Sequence, residues 1–270
     1  MNTLFEKLKR SFKYYYYGQK NEWHFPSNIA HLSGGKMANG SYEPDVSKKI
    51  VEILESGDTF IDVGANVGYF SKIASKKVGP KGKIYAFEVE LENYYALTKN
   101  INGHSNINAL HLAISNDNSF VKVNHSSHSN CHSIVDTDNL LDGKKFSIPT
   151  ITLDHFWETY LQKRPIQLIK IDVEGAELMV LEGMDHLLTE NIINTIIIEF
   201  CPRIIQNAGY NIAGLYEKIA TNYTISIIDK EYKSIIENGI IKSIADLEAV
   251  TNQLLKKEDT ININWLCNKV

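Results

Sequence analysis

The sequence predicts an α/β fold built on a mostly parallel sheet, and two observations support this prediction. From about residue 42 onward, short apolar runs alternate with stretches of helical periodicity, which is typical of repeated βαβ units. The run TIIIEF at 195–200 is apolar at almost every position. A strand of this composition is expected to be covered by helices on both faces, as strands of parallel sheets are.

The expected elements follow one another in a regular order. Helices are predicted at 44–54, 69–77, 93–100 and 176–188, with further helical stretches before the last two strands. Strands are predicted in the segments TFIDVG (59–64), KIYAFEVE (83–90), INALHLAIS (107–115), FVKVN (120–124), PIQLIKIDVEG (165–175), INTIIIEF (193–200), YTISIID (223–229) and TININWLCN (260–268). Ligands of such sheets bind beyond the carboxyl ends of the strands, so functional residues are expected at those ends.

Composition excludes several classes of protein. The chain has 270 residues, of which 43% are hydrophobic, enough to bury a large core. A formal net charge of −4 does not suit a protein that grips phosphate backbone, so no nucleic-acid partner is expected. The three cysteines lack the CxxC spacing of zinc sites and do not suggest a disulfide scaffold. Without an apolar run long enough to span a membrane or a signal-peptide core, a cytoplasmic protein is expected.

Residues 1–35 are expected to form a partly helical appendage, followed by a main domain at 36–270. Near the N-terminus, Leu4, Phe5, Leu8 and Phe12 fall on one helical face beside several basic residues. Two interpretations remain open. The face could make weak peripheral contact with an anionic membrane, or it could pack on the main domain or on a partner subunit, which is the more common use of such a face. The oligomeric state is not predicted.

A glycine-containing turn follows the first predicted strand. Its sequence, DVGANVG at 62–68, has the pattern D-x-G-x-x-x-G. It fails the dinucleotide pattern G-x-G-x-x-G, because Asn66 and Tyr69 occupy the next two glycine positions after Gly64. It also lacks the Gly-Lys pair of a P-loop. Gly64 and Gly68 would let the backbone approach a ligand closely, and Asp62 suits an amine-bearing ligand better than a phosphate.

A second carboxylate follows the next strand. Glu88 lies 26 residues after Asp62 (88 − 62 = 26) and ends the run KIYAF. A carboxylate at that strand end can accept hydrogen bonds from both hydroxyls of a ribose. Asp62, the glycine turn and Glu88 together indicate a site for an adenosine that bears an amino-acid tail. The alternative is a sharp βα turn without a ligand, in which Asn66 caps the following helix.

Several motifs resemble one known family. DTFIDVGANVGYFSKIA (58–74) resembles the first motif of class I methyltransferases, and more specifically that of the FkbM-type methyltransferases. Three further segments and the strand TIIIEF support the narrower resemblance, which covers about residues 40–200. These segments are GSYEPDVSKKI (40–50), IPTITLDHF (148–156) and LIKIDVEGAELMVLEGM (168–184).

The resemblance implies a Rossmann-like class I methyltransferase fold with a mostly parallel, seven-stranded sheet. It implies transfer of a methyl group from S-adenosylmethionine, usually to a hydroxyl oxygen of a sugar, glycan, polyketide or related small molecule. Methylation of a nitrogen or a protein side chain, and a cofactor-binding module without catalysis, are the alternatives. The expected cofactor-binding residues are Glu43, which rests on the resemblance alone, and Asp62, Gly64, Asn66, Gly68, Glu88 and Asp172.

The chemistry of the reaction points to three carboxylates, one of which is the Asp172 already named. A sugar hydroxyl is a poor nucleophile until a base or a metal ion helps to remove its proton. Asp172, Glu174 and Glu199 follow or end predicted strands, and an extended chain would point Asp172 and Glu174 to the same face. They are the catalytic candidates, either as a general base or, for Asp172 and Glu199, as ligands of Mg2+. Glu177 is expected to favour the start of a helix instead, and the histidine-rich loop at 124–139 is a weaker candidate for the base.

Overall fold

A computed structural model of the chain describes residues 23–26, 33–126, 141–257 and 261–270. The strands within these residues are β1 Thr59–Val63, β2 Lys83–Phe87, β3 Ile107–Leu110, β4 Ala113–Ile114, β5 Phe120–Ser126, β6 Leu141–Ile151, β7 Ile166–Ile171, β8 Ile193–Phe200, β9 Tyr223–Ile227, β10 Ile240–Ile241 and β11 Ile263–Lys269. The α-helices are α1 Gly34–Ala38, α2 Pro44–Ile53, α3 Tyr69–Val78, α4 Leu91–Asn100, α5 Leu153–Thr159, α6 Glu177–Glu182, α7 Asp185–Thr189, α8 Pro202–Asn207, α9 Ile212–Ala220 and α10 Ile244–Leu255.

The main sheet brings the candidate residues to one edge. Within the described chain it has eight strands in the order β10-β9-β11-β8-β7-β1-β2-β3. The strands from β8 to β3 run parallel, whereas β11 is antiparallel to both neighbours and β10 is antiparallel to β9. The carboxyl ends of β1, β2, β7 and β8 therefore meet at the same edge. A separate three-stranded sheet has the order β4-β6-β5.

The predicted α/β class and mostly parallel sheet are confirmed, but the prediction of seven strands is wrong. The eighth strand, Ile240–Ile241, pairs with β9 and is too short to leave a pattern in the sequence. The predicted strand at 107–115 is divided, because β3 pairs with β2 while β4 pairs with β6 of the smaller sheet. Strand β6 was not predicted, and its Pro149 argued against a strand.

The predicted helix at 176–188 is also divided, into α6 and α7. Gly183 ends α6, and a side chain at this position would collide with the backbone carbonyl of Ser115. A glycine in the interior of a helix is also about 1 kcal/mol less favourable than an alanine. Close packing against the segment after β4 therefore requires glycine at the point where the helix breaks.

The core lies on both faces of the main sheet. Successive strand residues point to opposite faces, so Ile61 and Ile169 join one buried cluster while Phe60 and Leu168 join the other. The second cluster is covered by α2 and α3, whose buried residues recur at helical spacing. The lysine at position 170 follows the same alternation and lies on the face of Phe60 and Leu168, beneath α3.

A short N-terminal segment packs on this second face. The rings of Trp23 and Phe25 are buried in its cluster, and the backbone of His24 exchanges hydrogen bonds with the side chain of Asn100. This segment falls inside the predicted appendage, whose boundary at residue 35 stays a prediction. The apolar face at Leu4–Phe12 lies outside the described residues. None of the described helices combines the length and apolar composition that a bilayer crossing needs.

Candidate cofactor and acceptor site

The turn after β1 brings three strand ends into contact. Gly64 has φ 83°, and a Cβ there would collide with the carbonyl oxygen of Asp172, which follows β7. The N–H groups of Gly64 and Ala65 donate to the carbonyl oxygen of Phe87, the last residue of β2, at 3.0 and 2.8 Å. Glycine therefore allows the turn to lie against the ends of both neighbouring strands. The turn ends at Gly68, where α3 begins.

Glu88 ties this turn to the end of β2. Its Oε2 accepts a hydrogen bond from the N–H of Asn66 at 2.7 Å, and its Oε1 accepts one from the N–H of Glu90 at 2.8 Å. Burial raises the pKa of Glu88 to about 7, although the two backbone donors work in the opposite direction. The carboxylate is also hydrogen-bonded to the side chain of Asn93. Since a carboxylate offers roughly four acceptor positions, one remains for a further donor. The structure thus places Glu88 and Asn66 together at the glycine turn.

The alternative role for Asn66, capping of α3, is wrong. The residue that precedes α3 is Gly68, and no side chain caps the helix. Asn66 instead adopts a left-handed backbone with φ 52°, and its Oδ1 is buried without a hydrogen-bond partner among the described residues. An unsatisfied buried acceptor is costly unless a donor arrives from elsewhere. The turn therefore presents an acceptor that suits a bound ligand.

Asp62 offers a second acceptor of this kind. Its carboxylate is buried, and Oδ2 accepts a hydrogen bond from Oγ of Ser71 on α3 at 2.6 Å. Its Oδ1 is buried and finds no donor within the described chain. Burial raises the pKa of Asp62, while the charge of Lys170 on the adjacent strand lowers it.

Three candidate carboxylates meet at the ends of β7 and β8. One carboxylate oxygen from each of Asp172, Glu174 and Glu199 lies within 4.8 Å of the other two; these residues are called the acidic cluster below. The expectation of an extended chain is wrong, because β7 ends at Ile171 and Glu174 has a left-handed backbone with φ 51°. The turn that follows β7 nevertheless brings Glu174 beside Asp172, through its left-handed backbone and not through an extended chain.

The acidic cluster is electrostatically crowded. Burial, followed by the charge of Asp172, raises the pKa of Glu174 and of Glu199 well above the usual value of a glutamate. The ammonium of Lys170 lies 2.6 Å from Oδ2 of Asp172. Asn262, which precedes β11, donates a hydrogen bond to Oε1 of Glu199. A carboxylate with a raised pKa is a stronger proton acceptor, which suits a general base.

Glu43 approaches the acidic cluster from the segment before α2. Burial raises its pKa, the charge of Lys170 lowers it, and the charge of Asp172 raises it again. The hydroxyl of Tyr42 is hydrogen-bonded to Glu43, and the ring of Tyr42 packs edge-on against Tyr69, with centroids 5.5 Å apart. The structure therefore places Glu43 with Lys170 and Asp172.

Backbone strain marks several of these positions. The described residues include seven non-glycine residues with positive φ, and three of them are candidates, namely Glu43, Asn66 and Glu174. Left-handed backbone costs roughly 1–2 kcal/mol for a residue that carries a Cβ. Strain of this kind tends to persist where it aims a side chain into a functional site.

Glu177 holds the turn that carries the acidic cluster. Its Oε1 accepts from the N–H groups of Val173 and Gly175, at 3.3 and 3.1 Å. Burial raises the pKa of Glu177 to about 7, and its Oε2 has no hydrogen-bond partner in the described chain. Its role in this arrangement is structural. The side chains of the histidine-rich loop at 124–139 lie outside the described residues.

Three residues near the acidic cluster were missed by the sequence analysis, namely Lys170, Tyr42 and Asn262. Lys170 did leave a signal, because it is a charged residue at a buried position of an otherwise apolar strand. Tyr42 left a signal only through the resemblance of the segment GSYEPDVSKKI, and Asn262 left none, since it is a common residue next to a strand boundary. They reach the site only through the tertiary arrangement.

Comparison with known proteins shows the family of the chain. The sequence model of the methyltransferase FkbM domain matches residues 62–225, more than half of the chain. The hexuronic acid methyltransferase AglP of Haloferax volcanii is 30% identical over 159 residues. That match spans 58% of this chain and 62% of the relative, which is less than two thirds of its length.

Solved structures of methyltransferases are also similar, at low sequence identity. A SAM-dependent O-methyltransferase from Thermotoga maritima is 14% identical, with a TM-score of 0.45 over 92% of this chain and 72% of that one. An rRNA methylase from Streptococcus thermophilus is 12% identical, with a TM-score of 0.45 over 83% of this chain and 94% of that one.

The α/β sheet and the family match together define a methyltransferase domain. The chain belongs to the FkbM methyltransferase family. The predicted family is thereby confirmed.

Proposed function

We propose that this enzyme transfers a methyl group from S-adenosylmethionine to a hydroxyl oxygen of a sugar, glycan or related small molecule. The observation that carries the proposal is the acidic cluster, which gathers three carboxylate oxygens within 4.8 Å of one another beside the glycine turn. A hydroxyl acceptor needs a base or a metal ion near its oxygen, and the cluster offers either. The relative named for hexuronic acid methylation supports a carbohydrate acceptor.

The turn and its neighbours fit the cofactor. The buried acceptors Oδ1 of Asp62 and Oδ1 of Asn66 have no donor within the described chain, and S-adenosylmethionine carries an ammonium and two ribose hydroxyls that can donate. Glu88 keeps an acceptor position for a ribose hydroxyl. Gly64 and Gly68 hold the turn in its left-handed conformation, where Asp172 and Leu97 lie too close for a side chain. We assign Glu43 and Asp172 to the boundary between cofactor and acceptor.

The protein's own residues would then act on the acceptor. S-adenosylmethionine supplies an activated methyl group on a sulfonium, so the main tasks of the protein are alignment and proton removal. The acceptor oxygen forms a bond to the methyl carbon as the carbon–sulfur bond breaks, which leaves a neutral thioether. A carboxylate of the acidic cluster takes the hydroxyl proton. Glu174 and Glu199 suit this role because their pKa values are raised.

A divalent metal is the second version of this mechanism. Asp172, Glu174 and Glu199 offer oxygen ligands of the kind that Mg2+ prefers. Lys170 already occupies one oxygen of Asp172, however, and Asn262 already donates to Glu199. These partners favour the base over the metal. Activity that survives a chelator would support the base, whereas loss that Mg2+ or Mn2+ reverses would support the metal.

Labelled cofactor tests the proposal directly. The enzyme would be incubated with methyl-labelled S-adenosylmethionine and a panel of neutral hexoses, hexuronic acids and amino sugars. We expect label to enter a methyl ether, which survives dilute base and acid hydrolysis of the sugar's glycosidic bonds. Label in a base-labile methyl ester, or in a methylated amine, would contradict transfer to a hydroxyl.

A further inference from the structure

Lys170 is a charged residue at the centre of the sheet. It lies on β7, pairs in register with Asp62 of β1 and Ile197 of β8, and its side chain is only 1% exposed. A buried ammonium is unfavourable unless it is paired and hydrogen-bonded. None of the cofactor-binding roles assigned above uses this side chain, so its position calls for another explanation.

The contacts of the ammonium all point toward the site. Nζ lies 2.6 Å from Oδ2 of Asp172 and 4.7 Å from the ring centroid of Phe70, at the start of α3. Burial alone would lower the pKa of Lys170, but the charges of Asp172, Glu43 and Asp62 raise it above its usual value. The lysine is paired directly with Asp172, and the charges of Glu43 and Asp62 favour its ammonium form.

Asp172 needs such a partner to remain in the acidic cluster. Its carboxylate lies near those of Glu174 and Glu199, and like charges at this separation repel one another. The backbone of Asp172 is held at the end of β7, where its N–H donates to the carbonyl oxygen of Val63 at 3.0 Å, but this bond does not set the direction of the side chain. A fixed positive charge on one oxygen both offsets the repulsion and sets the direction of the side chain.

We infer that Lys170 is a positioning residue for methyl transfer, whose ammonium holds Oδ2 of Asp172 and thereby keeps that carboxylate within reach of Glu174, Glu199 and the acceptor. This inference rests on the proposed function of the acidic cluster. Lys170 itself does not touch the acceptor. It acts through Asp172, in the way that partners behind a ligating or catalytic group fix its orientation.

A double-mutant cycle separates this role from a merely structural one. Lys170→Met keeps the length and apolar stem of the side chain but removes the charge. We expect it to lower kcat about 10- to 100-fold, with little change in the KM of either substrate. If Lys170 acts through Asp172, then adding Lys170→Met to Asp172→Asn should lower kcat by less than about twofold further. Lys83→Met, at the amino end of β2, is the matched control and should leave kcat unchanged.

The result that would overturn the inference is equally specific. A Lys170→Met enzyme that keeps more than half of the wild-type kcat, or losses that multiply in the double variant, would show that Lys170 does not work through Asp172. Thermal unfolding and S-adenosylhomocysteine binding would show that each variant is folded. Should Lys170→Met not fold, Lys170→Gln replaces it with the same expectation.

A second measurement does not depend on any acceptor. Crystal structures of the wild type and of Lys170→Met would show the direction of the Asp172 side chain. We expect Asp172 to turn away from Glu174 and Glu199 in the variant; an unmoved carboxylate would overturn the inference. Wild-type enzyme that methylates no hydroxyl would instead contradict the proposed function, so the two failures are distinguishable.

Discussion

The carbonyl oxygen of Asp172 occupies the space that a side chain at position 64 would need. Gly64 belongs to the glycine turn after β1, and Asp172 belongs to the acidic cluster after β7. The two parts of the site are therefore in direct backbone contact. A substitution in the glycine turn should therefore also change the geometry of the acidic cluster.

Gly64→Ala should damage both parts. A residue with φ near 83° costs roughly 1–2 kcal/mol once it carries a Cβ, and the collision with Asp172 adds to this cost. We expect a lower melting temperature and loss of S-adenosylhomocysteine binding, measured by calorimetry. Gly103→Ala is the matched control, because Gly103 has φ 87° but no atom within 4 Å of its added Cβ. Equal effects of the two substitutions would refute the contact argument.

Glu88→Ala should weaken cofactor binding. Removal of a carboxylate that accepts from a ribose should cost on the order of 1.5–3 kcal/mol of binding free energy. The measurement is the dissociation constant for S-adenosylhomocysteine by titration calorimetry. Glu90→Ala is the control, since Glu90 is also buried nearby but caps α4 through the N–H of Asn93. An unchanged dissociation constant for Glu88→Ala would remove Glu88 from the cofactor site.

The stability of the protein should depend on pH through Glu177. Its pKa is about 7 in the folded protein and 4.5 for an ordinary glutamate. The folded protein therefore keeps this proton to higher pH than the unfolded chain does, and the free energy of unfolding falls as pH rises from about 4.5 to about 7. The contribution of this one group is on the order of 3 kcal/mol.

Glu177→Gln should remove that part of the pH dependence. The amide oxygen can still accept from the turn, while the group no longer ionises. Denaturant unfolding at pH 5 and pH 7.5 measures the difference, and Glu92→Gln, an exposed position, controls for the loss of one charge. If wild type and Glu177→Gln lose the same stability between these pH values, burial of Glu177 is not the cause.

Phe25→Ala should destabilise the whole domain, although Phe25 lies inside the predicted appendage. Its ring is 1% exposed and belongs to the core cluster beneath α2 and α3. Truncation of a buried phenylalanine typically costs about 3–5 kcal/mol. Phe120→Ala is the matched control, because that ring is 73% exposed and its loss should change the free energy of unfolding by less than about 0.5 kcal/mol. If Phe25→Ala and Phe120→Ala change the free energy of unfolding by similar amounts, residues 23–26 are not part of the folded domain.

Much of the fold could be predicted from the sequence because its signals are local. Apolar strands contain or directly precede the glycine turn, Asp62 and Glu88. Prediction of the strands therefore also predicted that these residues lie at the carboxyl ends of neighbouring strands. Short or interrupted elements were not predictable in this way. Strand β10 has two residues, and β6 contains Pro149, so pairing with neighbouring strands decides their structure.

The acidic cluster could be predicted only in outline. The positions of Asp172 and Glu199 at strand ends followed from the sequence, but the left-handed backbone of Glu174 did not. The partners that control the charges, Lys170 and Asn262, reach the cluster from the carboxyl end of β7 and from the segment before β11. Their effect depends on tertiary packing, which no local pattern records.

The turnover of Asp172→Asn on the acceptor identified with labelled cofactor tests the central claim most directly. The substitution keeps the size of the side chain but removes the charge that Lys170 pairs with. Because the lost interaction belongs to methyl transfer, we expect kcat to fall by about 100-fold or more while the dissociation constant for S-adenosylmethionine changes little. Full activity of Asp172→Asn, with unchanged cofactor binding, would contradict the assignment of methyl transfer to the acidic cluster.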